Sequence, residues 1–342
     1  MTDATSPPSR PPRFPFARQS AGPSPRRRPR SVRRTTSIDS EWPDGFGQPW
    51  RMTGQARDLL TCADSLDATV LASAEYRILV SPKRQILKIE ATPAHPLMGD
   101  MVGVRAGGAS RALLNDRLGA LRGSPLFQIL DDYAGASLVA EWIWSHWSDD
   151  WISKSSNAAI RPTGGRPSGM MNICTGFAQG SSALNPDGTP NLHDQSSAQV
   201  GPLTHPDDLA GWHAMPSQHG PQTRRSRRLD VWREGDCIKV DAAFQDSGPV
   251  PEGGRRAVHE YRLFADIDAA SHRLVALQPV AHILPFQECP GAVAKATRML
   301  GQDVSTFRES VIDTLPSTLG CTHLNDMLRA LADVPELVRQ ID

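Results

Sequence analysis

The residues with the most chemical potential lie near the C-terminal end, in the run Gly320-Cys321-Thr322-His323-Leu324-Asn325-Asp326. A second cysteine, Cys289, stands upstream in Glu288-Cys289-Pro290. The pattern predicts a helix start at each. Pro290 suits a first helical position, where a missing N–H would have had no partner, and this puts Cys289 near the N-cap. The positive end of a helix lowers the pKa of a thiol placed there. Gly320 breaks the chain before an amphipathic run with Leu324, Leu328 and Leu331, so Cys321 and His323 fall in a first turn. Asp326 follows three residues after His323 and is positioned to orient the imidazole. Thiolate and imidazole suit zinc or iron better than magnesium or calcium. A fourth ligand must come from elsewhere, and the best candidate is His259, just before the strand Glu260-Tyr261-Arg262. Cys289, Cys321, His323 and His259 therefore form the candidate metal set. The same residues permit a metal-free enzyme, with Cys289 as nucleophile and His323 as base for acyl or thioester chemistry. Free cysteine is also often a small buried hydrophobe, so a structural role stands beside both.

The elements that must position these residues occur twice. Glu75-Tyr76-Arg77-Ile78-Leu79 matches Glu260-Tyr261-Arg262-Leu263-Phe264. Each run meets a turn, Ser81-Pro82-Lys83-Arg84 or Asp268-Ala269-Ala270-Ser271, and then resumes as an alternating apolar stretch, which is a hairpin signal. Upstream, Arg33-Arg34 before Ser37-Ile38-Asp39 resembles Arg227-Arg228 before Leu229-Asp230-Val231. The candidate strand 53–58 resembles 240–246. Downstream, helical periodicity runs over 104–118 and 125–147 in the first copy. In the second it runs over 290–300, 303–314 and 321–332. The expected fold is α+β, with two internal repeats, each an antiparallel β-meander followed by helices. Ala74 stands at the place of His259, and no cysteine occurs between Cys62 and Cys174, so the first copy carries a degenerate site.

The chain has 342 residues, 39% of them hydrophobic, and a formal net charge of zero. Bulk charge therefore gives no argument for nucleic-acid or membrane binding. Residues 1–34 hold nine arginines and one acid, Asp3. With its Pro and Ser content, 1–30 reads as a disordered basic tail, and Arg26-Arg27-Arg28 is the one nucleic-acid or anionic-lipid signal. The expected organisation continues with the first repeat at 31–151, a flexible linker at 152–222 and the second repeat, with the Cys/His site, at 223–342. The linker is rich in Ser, Gly, Pro, Asn and Gln, and its histidines (193, 205, 213 and 219) have no ligand-like spacing. Trp142, Trp144, Trp147 and Trp151 form a cluster in which Trp144 and Trp147 are three apart and Trp147 and Trp151 four, the spacing of a shared helical face, which suits core packing or contact between copies. That interface and the basic tail also permit a noncatalytic interaction protein, with its partner unknown. No run of about 18 apolar residues suggests a membrane span. Without an export signal the expected compartment is the cytoplasm, where five cysteines stay reduced.

Two resemblances follow from these motifs. The set Arg33-Arg34 with Ser37-Ile38-Asp39, Val258-His259-Glu260-Tyr261, Glu288-Cys289-Pro290 and Cys321-Thr322-His323-Leu324-Asn325-Asp326 resembles a bacterial family known as domain of unknown function 2889, over roughly residues 31–335. That family implies no activity. The order strand, turn, strand, Cys289 at a helix start, Gly301 before a second helix, then Cys321 and His323 at a third is similar to iron–sulfur scaffold proteins of the IscU/NifU type (a SufE/NifU-like arrangement). The likeness covers one repeat. It implies zinc or an iron–sulfur cluster as cofactor, with Cys289 at the middle cysteine, Cys321 at the last, His323 in place of a neighbouring histidine and His259 near the first ligand. The first cysteine of that pattern and its Gly-Asp are absent, and His323 follows Cys321 rather than preceding it.

Overall fold

A computed structural model describes residues 10–155 and 169–341. β1 (Ser31–Glu41), β2 (Trp50–Thr61), β3 (Ala68–Val80) and β4 (Ile86–Thr92) pair in sequence as an antiparallel meander. A short strand, β5 (Ala198–Val200), precedes a second meander of β6 (Thr223–Glu234), β7 (Cys237–Pro249), β8 (Arg255–Asp268) and β9 (Leu274–Ile283). The meanders join through their first strands, β1 against β6, antiparallel. The result is one nine-stranded sheet, ordered β4-β3-β2-β1-β6-β7-β8-β5, with β9 also on β8. Both meanders thus belong to one sheet, a mixed α/β arrangement with helices after each run of strands.

The helices are α1 (Gly108–Arg117), α2 (Pro125–Val139), α3 (Trp151–Lys154), α4 (Gly291–Lys295), α5 (Phe307–Thr314), α6 (Thr322–Arg329) and α7 (Val334–Val338). α2 starts where Ser124 accepts a hydrogen bond from the Phe127 N–H and Pro125 occupies the first turn, a favoured N-terminus. It lies across β1, β2 and β3, while α6 lies on β7 and α7 on β1 and β6. The α-helix expected over 125–147 ends at Val139 and tightens into a 3₁₀ segment, Ala140–His146. The tryptophans therefore do not share one α-helical face. Trp144 packs on Trp42 and Phe46, and Trp147 Nε1 donates to the Pro249 carbonyl at 3.1 Å. None of the described helices is long and apolar enough to cross a membrane.

Central strands covered on both faces usually read as apolar runs. β1 and β6 instead carry arginine, serine and threonine, and nearly all of these are buried. Their charges pair across the sheet. Arg33 lies opposite Asp230 and Arg224 opposite Asp39, each pair bidentate at 2.5–2.8 Å. On the helical face, Arg34 forks onto Asp58 and reaches Asp333, all at 2.6 Å. Arg225 forks onto Asp246 at 2.8 and 2.9 Å, and Arg227 onto Asp132 at 3.0 and 2.8 Å. Asp131 of α2 meets Arg308 of α5 and Arg329 of α6, each at 2.7 Å. Gly135 makes room for this network, since a Cβ there would lie 2.1 Å from Arg225 Nη1 and 2.5 Å from Asp326 Oδ2.

Two segments expected to lack structure are built into the fold. Arg27 is buried, and its backbone N–H and guanidinium bind Asp208 at 2.8 and 2.9 Å. His213 is buried between the hydroxyls of Thr35 and Ser37, at 2.9 and 2.8 Å. Cys174, Phe177 and Ala183 join the core around β6–β9. Composition does not show this order in 10–30 and 169–222 because it comes from a few long-range ion pairs and hydroxyls, such as Arg27 with Asp208 and His213 with Thr35 and Ser37, and from scattered apolar residues such as Cys174 and Phe177. Residues 1–9 and 156–168 of those expectations lie outside the described residues.

Burial would raise the Asp131 carboxyl, but Arg329, Arg308 and Arg111 outweigh it and hold it well below the usual carboxylate range. Its stabilisation is therefore complete above the ordinary carboxylate range and is lost only as pH falls through the depressed value. Asp131→Ala leaves two buried guanidinia without that partner and should cost about 3–5 kcal/mol. Urea unfolding at neutral pH measures this, and a loss under about 1 kcal/mol would show that the network carries little stability.

Candidate metal centre

The register of β7 against β8 creates the centre. Asp246 lies directly opposite His259, and a bulge follows immediately after Asp246. Both side chains share the helical face of the sheet. The third member comes from α6, whose N-cap is Cys321 in extended conformation, with φ −120° and ψ 128°. His323, in the first turn, is thereby laid on the sheet.

His259 Nδ1 is 3.1 Å from Asp246 Oδ2. The rings of His259 and His323 stack at 3.6 Å between centroids and 24° between planes. His323 Nε2 is buried without a hydrogen-bond partner and lies 3.7 Å from Asp246 Oδ2. Ligand atoms of Asp246, His259 and His323 all fall within 4.8 Å of one another, so this buried group could hold a metal ion. Burial first, then the neighbouring His259, pushes His323 well below its ordinary pKa of 6.5, against the pull of Asp246. Burial likewise lowers His259. Both imidazoles are then neutral near pH 7, the form that ligates metal. Burial alone would raise the Asp246 carboxyl, but Arg225 and His259 outweigh it and keep it ionised.

Next to this group is a cavity of about 110 Å³, mainly apolar. His259, His323, Cys289 and Cys321 all line it, so the sequence-derived candidates converge on one place. Cys174 also lines it, from the segment expected to be a linker, and Trp142 supplies a wall from the first half of the chain. Gly176 brings the Cys174 turn against Cys289, since a Cβ there would lie 2.5 Å from Cys289 Sγ. Tyr261 Oη donates to Cys321 Sγ at 3.5 Å. The thiols are outside the 4.8 Å group.

Two expectations change. Cys289 was placed at a helix start with a lowered pKa. Pro290 takes the N-cap, α4 has five residues, and the thiol is buried. Desolvation, then Cys174 and Cys321, push Cys289 well above its ordinary value. Burial also raises Cys321, despite the Tyr261 hydroxyl and the N–H groups of Leu324 and His323, and raises Cys174 to about 12. Desolvation wins over the helix terminus. Asp326 was expected to orient His323. It is instead bound by Arg111 and lies 3.5 Å from Arg225 Nη1, and the carboxylate beside the imidazoles is Asp246. Sequence reading missed Asp246, although it ends the strand 240–246 matched to 53–58, whose last residue is also aspartate.

With this geometry in place, comparison with known proteins gives one match. Residues 223–336 match the model of a family described as "Protein of unknown function (DUF2889)". That is about a third of the chain, against the 31–335 expected, and it includes Asp246, His259, Cys289, Cys321 and His323. No curated protein and no solved structure matches.

Neutral buried histidines give the protein a pH dependence of definite sign. Below about 6.5 the unfolded chain binds protons that the folded chain does not, so stability is complete above that pH and falls as pH drops. In chelator-treated protein, urea stability should decline from about pH 7.5 to about 5.5. His323→Asn should make the decline shallower. It should not remove it, because His213, held down to about 3 by burial, Arg57 and Arg224, titrates in the same sense. An unchanged slope in the variant would mean that His323 is not held neutral.

Proposed function

We propose that the protein binds a single divalent metal ion through Asp246, His259 and His323, with a further coordination position facing the apolar cavity. The observation that carries this reading is the buried, unpartnered His323 Nε2 aimed at a carboxylate already shared by His259 and Arg225. An unpaired buried nitrogen is costly, and a metal would satisfy it. Nitrogen and oxygen donors suit zinc or ferrous iron, at bonds of about 2.0–2.2 Å, which small side-chain rotations would reach. The bidentate Arg225 orients Asp246, as carboxylate ligands commonly require. An ion with an open position could act as a Lewis acid or supply hydroxide to a small substrate in the cavity. An iron–sulfur cluster needs thiolates, and the thiols of Cys174, Cys289 and Cys321 stand outside the group of Asp246, His259 and His323, which favours a mononuclear ion with the thiols in the wall. Without a metal, burial and the neighbouring thiols raise Cys289, which argues against it as an activated nucleophile.

Metal analysis of anaerobically purified protein tests this. The wild type should carry close to one equivalent. Asp246→Asn and His323→Ala should lose it, whereas Cys289→Ser and Cys321→Ser should retain it. Loss in the cysteine variants alone would move the site to the thiols. Metal-free wild type with rapid alkylation of Cys289, at the rate of the exposed Cys62, would favour the thiol enzyme.

We also propose that the two meanders are copies of one unit. Arg33-Arg34, three residues, then Ile38-Asp39 aligns with Arg224-Arg225, three residues, then Leu229-Asp230, a register different from the Arg227-Arg228 match made on sequence. Bulges follow both Asp58 and Asp246. Opposite Asp58 stands Ala72, where Asp246 has His259, while Ala74 faces Ala56. The first copy would thus lack the ligand by a His-to-Ala difference. Experimental coordinates in which β1–β4 fail to superimpose on β6–β9 with Asp58 on Asp246 would remove this reading.

A further inference from the structure

A second, larger cavity of about 860 Å³ lies on the opposite face of the sheet, beneath the chain from Gly201 to His219. Its lining contains Arg57, Arg224 and Arg255 and no aspartate or glutamate. Only Arg224 is neutralised nearby, by Asp39. Arg255 donates to Gln218 Oε1 at 2.7 Å and Ser247 Oγ at 3.0 Å, both uncharged. Arg57 donates to the Ala210 carbonyl at 2.5 Å, and its Nε is buried without a partner. Asp208, the carboxylate that Arg57 senses, is already engaged by Arg27 and Arg33. Desolvation, then Arg224, lowers Arg255 to about 10, and desolvation, then Arg27 and Arg33, lowers Arg57. Asp39, which Arg255 senses, is likewise already bound by Arg224, so among the described residues two guanidinia face this cavity without an ion-pair partner of their own.

The spacing of the two matters. Arg57 is on β2 and Arg255 on β8, with β1, β6 and β7 between them. The pairing carries Arg57 across Thr35, Arg228 and Ala243 to Arg262, whereas Arg255 pairs with Pro249, further along β7. At about 4.8 Å per strand and about 3.3 Å per residue their backbones are roughly 28 Å apart, and the side chains reach inward from both ends. Between them the walls include Leu203, Trp212, Met215 and Pro249. A single small oxyanion would leave one guanidinium unpaired.

We propose that this cavity binds an elongated small-molecule dianion, with an oxyanion group at each end and an apolar chain between. Arg57 holds one end and Arg255 the other, each by charge-assisted hydrogen bonds. Arg224, paired with Asp39, lines the middle without adding net charge. The volume is in the range of small-molecule sites.

Calorimetric titration of the full-length protein at low ionic strength tests this. The probes are azelate and 1,6-hexanediol bisphosphate, with octanoate, succinate and 1,9-nonanediol as controls. The expected result is binding of one or both long dianions, at least about tenfold tighter than the controls. Preference between the two long probes identifies carboxylate or phosphate ends. Arg57→Gln and Arg255→Gln should each weaken the long dianion about tenfold, while leaving octanoate within about twofold. His323→Ala should leave this binding intact, so its outcome is separate from that of the metal centre. Octanoate binding as tightly as azelate in the wild type overturns the proposal without recourse to any variant. So does absence of binding by both long dianions, or unchanged binding in two folded arginine variants.

Discussion

The constraint on which the structure depends is the burial of arginine in the middle of the sheet. β1 and β6 are central strands covered on both faces, yet they present Arg33, Arg34, Arg224, Arg225, Arg227 and Arg228 to the interior. Each unpaired charge there would carry a desolvation penalty of several kcal/mol. Every one of these arginines is therefore tied to an aspartate, and the aspartates come from both halves of the chain. Asp58 and Asp246 are next-strand neighbours, Asp39 and Asp230 cross the β1–β6 seam, and Asp132 and Asp333 come from the helical layer. A pairing shift of one residue would move all of these side chains to the wrong face. The network gives the register of the seam a specificity that an apolar strand pair would lack.

The candidate metal centre is an extension of that network. Arg225 forks onto Asp246 and lies beside Asp326. It also stands over Phe244, its Cζ 4.8 Å from the ring centroid. The same guanidinium thus fixes the carboxylate next to His259 and touches the helix that delivers His323. The imidazole pair is neutral because it is buried, and the carboxylate is charged because Arg225 is there. Packing and protonation are set by one set of contacts, which hold the donor atoms in the form that could ligate an ion.

Much of the scaffold was legible in the sequence because it follows simple periods. The strands around 53–58, 75–89, 240–246 and 260–277 alternate with period two, and their turns are marked by Pro, Asp and Ser. His259, Cys289, Cys321 and His323 could be read as neighbours, because strand ends and helix starts of one unit lie near each other. What could not be read were partners set by side-chain pairing at long range. Asp246 looked like any strand aspartate until its opposition to His259 was fixed by a bulge. Arg27 and Asp208 looked like tail and linker residues, because composition cannot see a salt bridge between segments 181 residues apart. Asp326 was assigned to His323 by proximity along a helix, but two arginines from other elements claim it.

The thiols show how the competition between local and tertiary effects is decided. A helix N-terminus contributes a field worth about 0.3–1 kcal/mol at exposed sites, up to about 2 kcal/mol when partly buried. Full burial of an ionised group shifts its pKa by as much as 3–5 units, which is larger. Cys321 sits at an N-cap with two N–H groups and the Tyr261 hydroxyl turned to it, and its pKa is still raised. The helix start predicted for Cys321 is there, but burial and not the helix terminus decides the protonation state of its thiol. A reactive thiolate would require water or a cation beside the sulfur; Glu288 and Asp326 instead add to the rise of Cys289 and Cys321, and Lys295, the cation near Cys174, donates to the Thr318 carbonyl. The ligating groups that burial leaves ready are the neighbouring imidazoles, whose neutral form it favours and whose carboxylate partner the arginine network keeps ionised.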